Sequence, residues 1–175
     1  MTDAPRPPVQ IPLHHLFAHN SWATLRLLAF CERLPPEQIH ATAPGAVGST
    51  FETLHHVVQA ECGYLARLAP ALKPTEWQPY LDKTLEAVKT RAVTLAGLWD
   101  TYAATDPDAE TPCRPRWPDG RVSEYPAGME IVQALHHSTA HREQICTILT
   151  TLGLEPPDTQ GIAWGVELGM IRRLE

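Results

Sequence analysis

The chain has 175 residues, a length typical of one domain with a sizeable core, and we expect a single domain over residues 1–175. Its 14 Lys and Arg residues against 20 Asp and Glu residues give a net charge of −6. With no basic run, this composition argues against a protein that binds nucleic acid. No apolar stretch approaches the roughly 18–20 residues of a membrane span, and the N-terminus lacks the layout of a signal peptide. We therefore expect a cytoplasmic protein with neither a nucleic-acid nor a membrane partner.

Seventeen prolines predict where the helices end, because proline lacks a backbone N–H and clashes with the preceding helical turn. They leave four long proline-free windows, which we interpret as four helices. These windows are residues 13–34, 45–69, 80–106 and 127–155.

The first two windows carry helical signals of their own. The first has an apolar stripe at helical spacing. That stripe comprises Leu13, Leu16, Phe17, Leu27, Leu28, Cys31 and Leu34. In the second window the predicted helix opens with Ser49 and Glu52, whose side chains can each satisfy the other's free backbone N–H in a capping box.

The last two windows also have apolar stripes. The stripe of the third comprises Leu81, Leu85, Val88, Ala92, Leu95 and Trp99. The stripe of the fourth comprises Ile131, Ala134, Leu135, Ile145, Leu149 and Leu152. Pro126 near the first turn and Gly153 just past the end favour these bounds for the fourth helix.

The remaining segments complete the predicted architecture. Residues 104–125 form a connection that is unusually long for two neighbouring helices, and Ile162–Leu174 predicts a short C-terminal helix. Few segments alternate apolar and polar residues, so we expect no sheet. The prediction is an all-α, four-helix bundle with a long connection between its third and fourth helices.

The nine histidines are candidate metal ligands, because helical bundles bury metal sites between facing helices. Two pairs have the i, i+4 spacing that lets one helix grip an ion: His15 with His19, and His137 with His141. The first pair falls away from the leucine stripe, so we expect it to face solvent, whereas the second pair flanks the stripe of the fourth helix. Residues 55 and 56 of the second helix are both histidines, and either can supply a third ligand. Periodicity alone favours residue 55. Ordinary core histidines remain the alternative interpretation.

Three polar residues are candidates for orienting such ligands through hydrogen bonds. Glu52 and Gln133 lie one turn before residues 56 and 137 respectively. Asn20 lies on the core stripe of the first helix, where a buried amide needs a partner.

Four segments carry motifs that are specific when taken together. They include Asn-x-Trp-Ala beginning at Asn20, Thr-Leu-x-His ending at His56, and His-x-x-x-His-Arg-x-Gln-Ile beginning at His137. The segments are FAHNSWATLRLLAFCERLPPEQIH (17–40), GSTFETLHHVVQAE (48–61), ALHHSTAHREQICTILTTLG (134–153) and LGLEPPDTQGIAWG (152–165). The chain thus resembles the DinB/YfiT-like family of metal-binding four-helix bundles.

The resemblance implies a three-histidine metal site made by His56, His137 and His141, and so favours residue 56 over residue 55. Three imidazoles suit nickel or zinc and leave a coordination position open, which is the catalytic pattern. Because the superfamily includes bacillithiol S-transferases and mycothiol-dependent isomerases, the resemblance implies an enzyme that activates a low-molecular-weight thiol such as bacillithiol against a small-molecule substrate. The alternatives are a metal hydrolase that uses bound water and a non-catalytic metal-binding stress-response protein. Family members are often dimers, so we expect a homodimer.

Overall fold

The computed structural model of the chain describes residues 12–74, 77, 82–117, 119–172 and 174. Leu81, which we placed on the stripe of the third predicted helix, lies outside the described residues. The helices in this part of the chain are α1 (Pro12–Cys31), α2 (Pro36–Ile39), α3 (Thr50–Leu68), α4 (Leu85–Ala104), α5 (Ala127–Thr151) and α6 (Gly161–Glu167).

The predicted all-α, four-helix bundle is confirmed. α1, α3, α4 and α5 are the four long helices, and each falls in one of the proline-free windows apart from the first residue of α1, Pro12. α1 packs mainly against α4 and α3 mainly against α5, while further contacts join α3 to α4 and α1 to α5. The four helices therefore surround one core, in which Trp99 and Phe17 are stacked with ring centroids 4.3 Å apart.

The predicted capping box starts α3. The Ser49 hydroxyl accepts a hydrogen bond from the Glu52 backbone N–H at 3.1 Å, and the Glu52 carboxylate accepts one from the Ser49 backbone N–H at 2.8 Å. Two N–H groups that the helix itself cannot pair are satisfied in this way. The end of α5 also agrees with the sequence, since Gly153 follows it with a φ of +75°, a conformation that glycine adopts without strain.

Two leucines that we placed on the core stripes are exposed instead. Leu16 is 50% exposed because the buried face of α1 is centred on its neighbour Phe17, about 100° further around the helix. Leu152 is 38% exposed because it is the residue that caps the C-terminus of α5, where the helical path ends.

The expectation that the chain has no sheet is wrong for the connection between α4 and α5. There, β1 (Pro112–Cys113) pairs antiparallel with β2 (Tyr125–Pro126). Strands of two residues are too short for the alternation of polar and apolar side chains to reveal them. Proline also opens two short elements that we did not predict, α2 and a 3₁₀ turn at Pro70–Leu72, because its fixed φ suits the first position of a helix.

The C-terminal helix α6 is shorter than the predicted run Ile162–Leu174, because the chain turns at Gly169 with a φ of +66°. This segment covers α1: the Trp22 indole donates to Glu167 at 3.0 Å, and the His19 ring bonds to the Thr159 carbonyl at 2.9 Å. His15 and His19 are therefore half-buried against the Trp164 ring, and the expectation that they face solvent is wrong. Within the described residues, no helix has the length and apolar character needed to cross a membrane.

Candidate metal centre

Three histidine rings meet between α3 and α5. His56 of α3 approaches His137 of α5 with 3.0 Å between their Nε2 atoms, and the ring centroids of the three residues lie 4.4 to 4.9 Å apart. One nitrogen from each of His56, His137 and His141 can be chosen so that all three atoms lie within 4.8 Å of one another. Among the described residues, this trio is the one group of three or more His, Cys, Asp or Glu side chains close enough to hold a metal ion.

The helical geometry explains why these rings converge. Residues four apart on α5 project from the same face, so His137 and His141 form one edge of the group. Because α3 packs along α5, a histidine on the facing edge of α3 completes it. That residue is His56, which is exposed, whereas His55 is half-buried with its ring 6.2 Å from the Phe51 ring. Periodicity favoured residue 55 because an apolar stripe marks the centre of a buried face, and this site lies at the rim of the bundle.

The donor set suits a divalent ion of the zinc type. Donor nitrogens that share a tetrahedral ion at 2.0–2.1 Å lie about 3.3 Å apart, close to the Nε2 separation of His56 and His137. The Nδ1 of His141 lies 2.9 Å from the Gln144 side-chain oxygen, so this nitrogen donates and leaves the Nε2 lone pair available. We did not single out Gln144 from the sequence. Its signal was the spacing of three residues after His141 within the fourth-helix motif.

Desolvation where the rings meet favours the neutral form of His56 and His137, although the His56 residue as a whole is exposed; the neutral ring is the form that binds metal. Desolvation, together with the neighbouring histidines, lowers the pKa of His137 to about 4 and also lowers the pKa of His56. Among the described residues, no group bonds to the buried Nδ1 of His137. In the charged ring both nitrogens carry a proton, so the buried Nδ1 of His137 would hold an N–H without an acceptor. This further disfavours the charged form.

Two of the residues expected to orient the ligands lie near the site with other partners. The Gln133 amide donates to the Tyr64 hydroxyl at 3.4 Å rather than to His137, and the Tyr64 ring lies edge-on to His137 at 5.5 Å. Glu52 is held by the capping box and lines the small cavity described next. The side-chain hydrogen bond of Gln133 is therefore to Tyr64, whose ring contacts His137.

A cavity of about 170 Å³ opens beside two of the three rings, those of His56 and His141. Its lining consists of Val47, Gly48, Glu52, Thr53, His56 and His141. A larger groove of about 690 Å³ runs between α1, α4 and the C-terminal segment, but none of the three histidines lines it. We assign the site by its chemistry rather than by size, because the smaller cavity is the one that gives a small molecule access to the donor nitrogens.

Asn20 lies in a buried polar network rather than against the histidines. Its side-chain amide donates to Glu61 at 2.9 Å, and its side-chain oxygen accepts from Arg142 at 2.8 Å. Arg142 also donates to Thr24 at 3.0 Å. Burial lowers the pKa of Arg142, although the nearby carboxylate of Glu61 opposes this shift. Hydrogen bonds through Asn20 therefore link the motif residues Glu61 and Arg142 in the core.

The comparison with known families agrees with this geometry. The DinB family matches the chain over residues 8–164. The chain belongs to the DinB family. No curated protein matches it. For this DinB-family chain, both the family and the three-histidine group fit a protein that binds a divalent metal.

Proposed function

We propose that this DinB-family protein is a metal-dependent enzyme that activates a low-molecular-weight thiol and transfers it to an electrophilic small molecule. The observation that carries the proposal is the convergence of His56, His137 and His141 beside an accessible cavity. Three protein ligands leave a coordination position for a further group, as in catalytic rather than structural sites. Nickel and zinc are the ions that we propose for this donor set.

A bound divalent ion supplies Lewis acidity, which lowers the pKa of a thiol or water held beside it. The residues of the chain hold the donor nitrogens in place, and desolvation favours the neutral form of His56 and His137. Val47 and Thr53 form a wall of the cavity through which the thiol enters. In the proposed reaction the thiol loses its proton to solvent, its sulfur forms a bond to the electrophilic carbon, and the leaving group departs with the electron pair of the broken bond.

The activity test uses purified protein loaded with zinc or nickel, bacillithiol and 1-chloro-2,4-dinitrobenzene as a model electrophile. We expect faster conjugation than with metal-stripped protein, and no acceleration by a His137→Ala/His141→Ala variant. The matched control is His15→Ala/His19→Ala, which removes a pair of the same spacing at a different place. Conjugation at the uncatalysed rate with the loaded protein would overturn the proposal.

The same preparation distinguishes the other two functions. Hydrolysis of an activated ester by the loaded protein, without thiol conjugation, would indicate a hydrolase that uses bound water. Retention of metal with neither activity would indicate a metal-binding protein of the stress response that performs no catalysis. Both outcomes keep the metal site and replace the reaction.

We also propose a homodimer in the cytoplasm. The structure has exposed apolar side chains along its C-terminal segment, and surfaces of this kind often mark interfaces. They are Ile162, Val166, Leu168, Met170, Ile171 and Leu174. Light scattering on the purified protein is expected to give twice the chain mass of 19.4 kDa. A mass of one chain at micromolar concentration would contradict the dimer.

A further inference from the structure

One buried carboxylate joins all four long helices. Glu61 of α3 is only 4% exposed, and it accepts hydrogen bonds from three side chains on three other helices. Its Oε1 accepts from Asn20 of α1 at 2.9 Å and from Ser138 of α5 at 2.7 Å. Its Oε2 accepts from the Trp99 indole of α4 at 2.9 Å. A buried carboxylate with so many fixed donors allows little sliding or rotation of the helices that supply them.

On α5, two residues of the buried polar network have the same four-residue spacing as the two histidines of the site. Ser138 directly follows His137, and Arg142 directly follows His141, so each network residue lies one step from a histidine. One step along an α-helix is a rotation of about 100° and a rise of about 1.5 Å. The histidines therefore point to the rim of the bundle while their neighbours point into its centre.

On α3, Glu61 follows His56 by five residues, a net rotation of about 140°, so the carboxylate lies on a different face of the helix from the histidine. The hydrogen bond between Ser138 and Glu61 helps to fix how far α5 is displaced along α3, together with the ion pair between Arg67 of α3 and Glu130 of α5. The approach of the His56 and His137 rings depends on that displacement, because each ring is attached to one of the two helices.

We propose that Glu61 is a positioning residue for the three-histidine site and that it acts through Ser138; this inference rests on the proposed metal site. It assigns the buried network a role in metal affinity as well as in folding. Residues that hold metal ligands indirectly typically change metal affinity 10–100-fold when they are replaced.

Two variants separate positioning from general stability. Ser138→Ala removes the bond between Glu61 and the helix that carries His137 and His141. Trp99→Phe removes a bond to the same carboxylate from α4, which supplies none of the three histidines, and keeps a ring to stack on Phe17. Ser138→Cys, with a weak S–H donor of similar volume, replaces Ser138→Ala if the latter does not fold.

Three measurements are made on each protein: thermal unfolding without metal, Co²⁺ affinity with the visible spectrum of the bound ion, and nuclear Overhauser effects between the His56 and His137 rings without metal. For Ser138→Ala we expect about a tenfold loss of Co²⁺ affinity, a shifted Co²⁺ spectrum and a weaker ring-to-ring effect. For Trp99→Phe we expect a lower unfolding temperature with all three site readouts as in the original protein.

Equal changes at the site in both variants, or none in Ser138→Ala, would overturn the positioning role. If the original protein binds no Co²⁺, Ni²⁺ or Zn²⁺, the proposed function fails. The ring-to-ring effect still decides the positioning role in that case, because it is measured without metal.

Discussion

At the scale of single residues, the site depends on which nitrogen atoms are free and uncharged. Gln144 occupies one nitrogen of His141, and desolvation together with the neighbouring histidines lowers the pKa of both His56 and His137. These features prepare the imidazoles to bind a cation without first losing a proton. The sequence motifs identified the three histidines. The sequence alone could not show the partner of each ring nitrogen, because each hydrogen bond depends on the orientation of the side chains.

The two adjacent histidines of α3 give the sharpest substitution test. His56→Ala removes a nitrogen that lies 3.0 Å from His137, so we expect the metal affinity to fall by at least tenfold. His55→Ala is the matched control, and we expect its affinity to change less than twofold because residue 55 lies outside the group of three. Titration with Zn²⁺ against a competing chelator measures both. The reverse order of effects would contradict the assignment of residue 56.

The lowered pKa of His137 predicts how the metal-free protein responds to acid. The folded-state pKa is about 4, below the value of about 6.5 for an unfolded histidine, so the unfolded chain takes up the proton first as the pH falls. We expect the free energy of unfolding to decrease between about pH 6.5 and pH 4 through this group. Urea unfolding of a His137→Ala variant should show a smaller decrease over that range. An identical pH dependence in the two proteins would contradict the lowered pKa.

At the scale of secondary-structure elements, the sequence predicted most of what the structure contains. Proline is rare in helix interiors, so the proline clusters predicted where the long helices lie. The capping pair Ser49 and Glu52 predicted where α3 begins. The features that the sequence did not predict depend on contacts between distant parts of the chain. The paired strands β1 and β2 are held by contacts between residues far apart in the chain, and the half-burial of His15 and His19 depends on where the C-terminal segment docks.

The capping box predicts a measurable contribution to stability. Ser49→Ala leaves the Glu52 backbone N–H without its partner at the start of α3, which should reduce the free energy of unfolding by about 1 kcal/mol. Thr84→Ala is a suitable comparison, because the Thr84 hydroxyl accepts from the Ala87 backbone N–H at the start of α4. Chemical denaturation measures both losses. No loss in Ser49→Ala would show that the box does not stabilise α3.

At the scale of the whole molecule, the candidate site exists only when α3 and α5 are packed together. His56 is separated from His137 by 81 positions in the chain, so the unfolded protein does not hold the three rings together. Ion binding should therefore stabilise the folded state, in proportion to the logarithm of the free ion concentration above the dissociation constant. Sequence reasoning could propose this convergence only through a family motif, because periodicity along one helix does not give its register against another.

In the metal-bound protein we expect three imidazoles from two helices to share one divalent ion. X-ray absorption at the metal edge of protein purified with one equivalent of Zn²⁺ or Ni²⁺ tests it most directly. We predict three imidazole ligands at about 2.0–2.1 Å, and two in a His56→Ala variant. A spectrum without imidazole scattering, or one that is unchanged in that variant, would show that these three histidines do not share the ion.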